Sequence, residues 1–161
     1  MLRTTRHPLL SLAVLTLVGC GGGAPSTPPP AQTWTDDGYV SQGPYLLSYS
    51  AQPVRDLEPA VVQRYGLASG ADQVVVTATL TREPGAQAVP ATITVTARTL
   101  SGVVREVVPR PLDRRAAATW FGELQVGHRE LLVFEITAES LETTAKSTRL
   151  NAAFQREFFT E

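Results

Sequence analysis

The clearest candidate for chemistry in this sequence is Cys20, which follows Leu17, Val18 and Gly19. It is the one cysteine of the chain, so an internal disulfide is ruled out and the thiol needs another explanation. Small residues before a cysteine allow a peptidase to approach the backbone, and the thiol can accept a diacylglyceryl group. The pattern predicts cleavage before Cys20 and lipid modification of its sulfur.

The residues before Cys20 have the order of an export signal. Arg3 and Arg6 form a positive start, and residues 9–18 form an apolar run too short to span a bilayer as a stable helix. Residues 17–20 therefore resemble the lipobox of bacterial lipoproteins, and residues 1–19 are predicted to be the signal peptide. A chance cysteine after an ordinary secretory signal is the alternative.

Lipidation would attach two or three acyl chains to Cys20, which is enough for stable anchoring in a lipid bilayer. Gly21 follows the cysteine, where an aspartate would favour retention at the inner membrane in enteric bacteria. The expected location is the periplasmic face of the outer membrane. Residues 20–41 are then predicted to be a disordered tether rich in glycine and proline, and residues 42–161 a folded domain.

Within that domain, Arg110, Arg114 and Arg115 form a cluster with Asp113 in a loop bounded by prolines. Guanidinium groups bind anionic glycans and lipid headgroups, so these three arginines are the candidate ligand-binding residues. A solvated loop of charged residues is the alternative explanation.

Signals for catalysis, metal binding or nucleic-acid binding are weak. His128 is the domain's one histidine and lies beside a glycine, as expected for a surface turn; Ser69 and Ser101 lack the G-x-S-x-G pattern of a nucleophile elbow. Removal of the signal leaves 12 basic against 15 acidic side chains, which disfavours a nucleic-acid partner. We expect no enzyme activity, no metal and no cofactor.

The domain sequence has the alternation of half-buried β-strands. The clearest strand covers residues 91–99, where Ile93, Val95 and Ala97 alternate with polar residues. Six further strands are predicted around residues 45–49, 74–80, 103–108, 118–124, 132–136 and 150–158. A short helix is predicted over residues 56–65, with Pro59 in its first turn and Gly66 as its C-cap. The predicted fold is all-β, an immunoglobulin-like antiparallel β-sandwich of about seven strands with one short helix.

Short motifs recur in a fixed order along the domain: Gly43-Pro44-Tyr45, Leu57-Glu58-Pro59, Arg64-Tyr65-Gly66-Leu67, Thr99-Leu100-Ser101-Gly102 and Trp120-Phe121. Their order and spacing over residues 43–159 resemble an uncharacterised family of small exported proteins from gammaproteobacteria, a domain of unknown function. The resemblance implies no catalytic residue. Many members resemble soluble periplasmic proteins, so the predicted lipid anchor is a departure from the family.

These observations lead to one functional hypothesis and two alternatives. We expect a non-enzymatic envelope module that binds a protein or surface polymer through an edge strand or loops. An envelope hydrolase would need a serine, His128 and a carboxylate to converge. A carrier of a lipophilic ligand would need an apolar cavity between the sheets.

Overall fold

The computed structural model describes residues 38–114, 117–142 and 148–160. The predicted signal peptide, Cys20, nearly all of the predicted tether and Arg115 lie outside the described residues. The described residues all belong to one compact unit that contains its own apolar core. Among them, no helix is long and apolar enough to cross a membrane.

In the described part of the chain, ten antiparallel strands form two sheets. In chain order they are β1 Tyr39–Gln42, β2 Tyr45–Pro53, β3 Gln73–Arg82, β4 Gln87–Ala88, β5 Ala91–Thr99, β6 Val104–Arg105, β7 Arg110–Pro111, β8 Thr119–Gln125, β9 Glu130–Ser140 and β10 Arg149–Phe158. The first sheet has the order β1-β2-β3-β8-β7, with β4 also paired to β3, and the second has the order β10-β9-β5-β6.

This strand order is that of an immunoglobulin-like sandwich. Constant-type immunoglobulin domains place strands A, B, E and D in one sheet and strands C, F and G in the other. Here β2, β3, β8 and β7 follow the first order, while β10, β9 and β5 follow the second. The predicted fold class is therefore confirmed, including its single short α-helix.

The core lies between the two sheets and follows from strand alternation. Every second side chain of β5 is buried. These side chains lie beside the buried side chains of β9 on the inner face of the second sheet, because the two strands pair in register from Ala91 to Thr99. Phe134 is fully buried, and Phe154 stacks between it and Tyr49, with both pairs of ring centroids 4.9 Å apart. This aromatic stack joins the sheets at mid-height.

Several predicted boundaries change in the structure. The predicted strand over residues 103–108 is reduced to Val104–Arg105, because the chain leaves the second sheet there and buries Val107 instead. The short strands β1, β4 and β7 were not predicted, since two to four residues carry no readable periodicity. Strand β1 begins at Tyr39, slightly before the domain boundary inferred at residue 42.

The connection from β2 to β3 carries the helical segment. A 3₁₀ helix covers Val54–Asp56, and helix α1 covers Pro59–Tyr65. Pro59 occupies the first turn of α1, and Gly66 ends it in the left-handed conformation with φ of 61°, as the sequence indicates. Helix α1 lies over the outer face of the first sheet, where Val75 and Phe121 form a small second core with Leu67.

Candidate functional site

Helix α1 has an apolar face that the fold covers only in part. One side of the helix carries Val61, Val62 and Tyr65, because Val61 and Val62 lie four and three residues before Tyr65. This side is directed toward the sheet, yet all three side chains are only half-buried, and no residue of α1 is buried. The packing between α1 and the sheet is therefore incomplete.

A cavity of about 210 Å³ lies between α1 and the outer face of the first sheet, and we call it the inner cavity. The hydroxyls of Thr77 and Thr119 reach its wall, but each already has a hydrogen-bond partner, at 2.8 Å to Ser50 and 3.1 Å to Thr79. Its apolar wall is formed by Leu57, Val61, Tyr65, Leu67, Val75 and Phe121.

A larger and more open space of about 870 Å³ lies beside it, between the 3₁₀ segment, α1 and the loop after α1, and we call it the outer groove. Leu57 and Leu67 line both spaces, so the two spaces adjoin at these side chains. The inner cavity and the outer groove together are called the α1 groove below. The rest of the outer wall includes Val54, Arg55, Pro59, Val62, Gln63 and Ser69.

One carboxylate fastens the loop after α1 to the sheet. Glu123 on β8 accepts the backbone N–H of Ala68 at 2.6 Å and the guanidinium of Arg110 at 2.7 Å. The Arg110 guanidinium also lies 4.6 Å from the ring centroid of Phe121, which forms part of the cavity wall. Arg110 therefore packs against one wall residue of the inner cavity and has a structural partner in Glu123.

The three predicted binding arginines do not form one described cluster. Arg110 lies on β7, about half exposed and paired with Glu123, whereas Arg114 lies exposed in the following turn. Arg115 lies outside the described residues, as does Cys20. Of the two described arginines, Arg110 lies beside the α1 groove, through its contact with Phe121. The spacing of the apolar residues in α1 predicted a helix. It did not indicate that the apolar face of this helix would stay partly uncovered.

The turn before β9 contains His128, as the sequence indicates. Its ring is exposed, and Nδ1 lies 2.5 Å from the backbone carbonyl of Thr160. Nearby, partial burial acts to raise the pKa of Glu130, but hydrogen bonds from the Gly127 N–H and from Arg105, both at 2.6 Å, bring that pKa below 4.5. Across the described ranges, no group of three or more potential ligands could hold a metal ion.

A second apolar surface lies on the hairpin between β5 and β6. Leu100, Val103 and Val104 are 71%, 54% and 66% exposed. Strand β6 pairs only with Ala97 and Arg98 of β5, so this hairpin is a short edge of the second sheet. None of these three residues lines the inner cavity or the outer groove.

The two-sheet topology defines an immunoglobulin-like β-sandwich, here with an α-helix across the outer face of one sheet. Comparison with known proteins then identifies the family. The chain belongs to the family described as a domain of unknown function, DUF4426, whose model matches residues 40–161. The family resemblance inferred from the motifs is therefore confirmed.

A solved structure of a family member supports the fold, and two further structures align more weakly. A DUF4426 family protein from Pseudomonas aeruginosa PAO1 is 23% identical, with a TM-score of 0.63 over 76% of this chain and 94% of that chain. FetP from uropathogenic Escherichia coli strain F11 is 13% identical, with a TM-score of 0.48 over 76% of this chain and 93% of that chain. A copper-bound FetP variant aligns with a TM-score of 0.46 at 13% identity, over 76% of this chain and 90% of that chain. No curated protein matches the sequence.

Proposed function

We propose that this protein is a lipid-anchored protein of the bacterial envelope whose β-sandwich is a non-catalytic binding module. The main observation in favour of a binding role is the α1 groove, a largely apolar recess that extends from the sheet face beneath α1 to the segments before and after this helix. Binding sites are mostly concave and apolar, with a few polar groups at their edges. The groove has this character, and its polar lining includes Gln52, Arg55 and Gln63.

The incomplete packing of α1 supports this role. Apolar surface left in contact with water costs free energy in proportion to its area, so covering the half-exposed side of α1 would stabilise the protein. Val61, Val62 and Tyr65 would become buried if a ligand or partner occupied the groove. A binding partner gives these residue types a function that the isolated fold does not use.

The anchoring role is supported by the sequence around Cys20 and by the Gly21 that follows it. Acylated Cys20 would hold the domain at a bilayer, on the periplasmic face of the outer membrane, where an envelope protein or surface polymer is within reach. Cys20→Ala removes the sulfur that carries the lipid. The variant should appear in the soluble fraction after a high-salt wash of the envelope, and its retention in the membrane pellet would contradict the anchor.

The binding role can be tested by site-specific photocrosslinking in intact cells. A benzophenone amino acid at Gln63, an exposed residue lining the outer groove, should form adducts with the bound molecule. The matched control is the same probe at Thr92, an exposed residue of β5 on the other sheet. Adducts at Gln63 but not at Thr92 are expected, whereas similar behaviour at both positions would argue against recognition through the groove.

A further inference from the structure

The chemistry of the α1 groove points to the class of molecule that occupies it. We infer that the ligand is an anionic phospholipid, with one acyl chain beneath α1 and its phosphate at Arg55. This inference rests on the proposed function, because it names the occupant of the same groove.

The size of the groove suits an aliphatic chain. The inner cavity of about 210 Å³ is larger than an engineered apolar cavity of about 150 Å³ that stays dry and binds benzene. It continues past Leu57 and Leu67 into the outer groove. An elongated apolar space of this kind fits a flexible hydrocarbon chain better than it fits one inserted side chain.

The walls of the groove disfavour a polypeptide occupant. A peptide segment beneath α1 would bring backbone N–H and C=O groups that need hydrogen-bond partners. The backbones of β2, β3 and β8 pair with one another in the sheet, and the hydroxyls of Thr77 and Thr119 are already bonded, so the further polar side chains of the described inner lining are those of Gln52 and Tyr65. A hydrocarbon chain carries no polar group and would leave none unsatisfied.

The charge of the groove indicates the headgroup. Among the described residues that line either space, Arg55 is the one with a charge at neutral pH. Its guanidinium donates to the Phe159 carbonyl at 2.8 Å and lies 3.8 Å from the Asp56 carboxylate, a loose pair on an exposed side chain. Guanidinium groups bind phosphate through several donors at once, so Arg55 at the outer groove is suited to a phosphate headgroup.

We assign the bound phospholipid to the membrane that surrounds the anchored domain. Under the proposed function, the domain is held at a bilayer by Cys20, and the groove would take a chain from a lipid of that bilayer. Soluble short-chain phospholipids allow this to be measured without vesicles. The described residues belong to one compact unit with its own apolar core, so a soluble domain of residues 32–161 can be used.

The test is calorimetric titration of this domain with monomeric dihexanoylphosphatidylglycerol. Val61→Trp fills the inner cavity from the helix side and should weaken binding roughly tenfold or more. The matched control, Ala60→Trp, adds the same bulk at an exposed neighbour that lines neither space and should stay within about twofold of the unmodified domain. Equal affinity of the two tryptophan variants would overturn the inference.

The headgroup is tested separately. Dihexanoylphosphatidylcholine, which carries no net charge, should bind roughly three- to fivefold more weakly, and Arg55→Gln should remove that difference. Glycerol phosphate alone should not bind, because it lacks the chain. Equal binding of both lipids to the unmodified domain would overturn the assignment of the phosphate to Arg55.

If Val61→Trp does not fold, the unmodified domain can be titrated with dihexanoylphosphatidylglycerol and followed by NMR. Chemical-shift changes should be confined to α1, the loop after it and the outer face of β3 and β8. Changes spread over the second sheet would overturn the inference. Crosslinks from Gln63 to a protein or polymer, without lipid binding, would overturn the inference and leave the proposed function intact. Loss of both signals would overturn both.

Discussion

Replacement of Phe134 by alanine should be the most damaging single core change in the middle of the sandwich. Its side chain is fully buried, stacks on Phe154 at 4.9 Å and meets Phe158 edge-on at 6.1 Å. Burial loss and the resulting cavity cost about 3–5 kcal/mol for such a change. Two aromatic contacts, each worth about 0.5–1.5 kcal/mol, place the expected loss at the upper end, at about 4–5 kcal/mol.

Urea denaturation of the soluble domain, followed by circular dichroism, measures this loss. With a slope of about 2 kcal/mol per molar urea, a loss of about 4 kcal/mol lowers the midpoint by about 2 M. Phe134→Leu keeps most of the buried volume but loses the ring contacts, so its loss should be about 1–2 kcal/mol. The leucine variant therefore separates the contribution of the aromatic stack from that of burial.

His128→Ala is the matched surface control. The ring is exposed and bonds only the chain end near Thr160, so its loss should change the free energy of unfolding by less than about 1 kcal/mol. The reasoning would be refuted if Phe134→Ala cost less than about 2 kcal/mol or no more than His128→Ala. Failure of a folded His128→Ala variant to complement a gene deletion would instead favour a catalytic role.

Three further predictions follow from other parts of the chain. Gly122→Ala should lower the free energy of unfolding by about 1–3 kcal/mol, measured by urea denaturation, because the new Cβ would lie 2.6 Å from a methyl carbon of the buried Val107. An unchanged urea midpoint would show that the sheet can relax at this position. Glu130→Gln should destabilise the domain at neutral pH, because the lowered pKa of Glu130 beside Arg105 means that folding is favoured when this carboxyl is ionised. The difference in free energy of unfolding between the variant and the unmodified domain should shrink as the pH falls from 4.5 through the lowered pKa. A difference that stays constant with pH would exclude an ionic origin. Deletion of residues 21–33 should leave the thermal midpoint unchanged, because a segment without large apolar side chains makes no core contacts, whereas a fall of several degrees would show packing onto the domain.

Local sequence patterns determined the long elements of this fold. Strand β5 alternates apolar and polar residues from Ala91 to Arg98, and β9 does so from Phe134 to Glu139; each such pattern requires one buried face. The bounds of α1 follow from Pro59, which suits a first helical turn, and from Gly66, which adopts a left-handed backbone without steric cost. These effects act within a few residues, so one dimension is enough to reveal them.

The site depended on contacts between distant parts of the chain. Arg110 meets Glu123 and Phe121 because β7 pairs with β8, and the two-residue β7 leaves no pattern in the sequence. The apolar residues of α1 indicated a buried helix face, whereas the distance of α1 from the sheet left that face half-open above a cavity. Periodicity shows which side of an element is apolar, but how completely that side is covered depends on the shape of the surface opposite it, which only the tertiary structure decides.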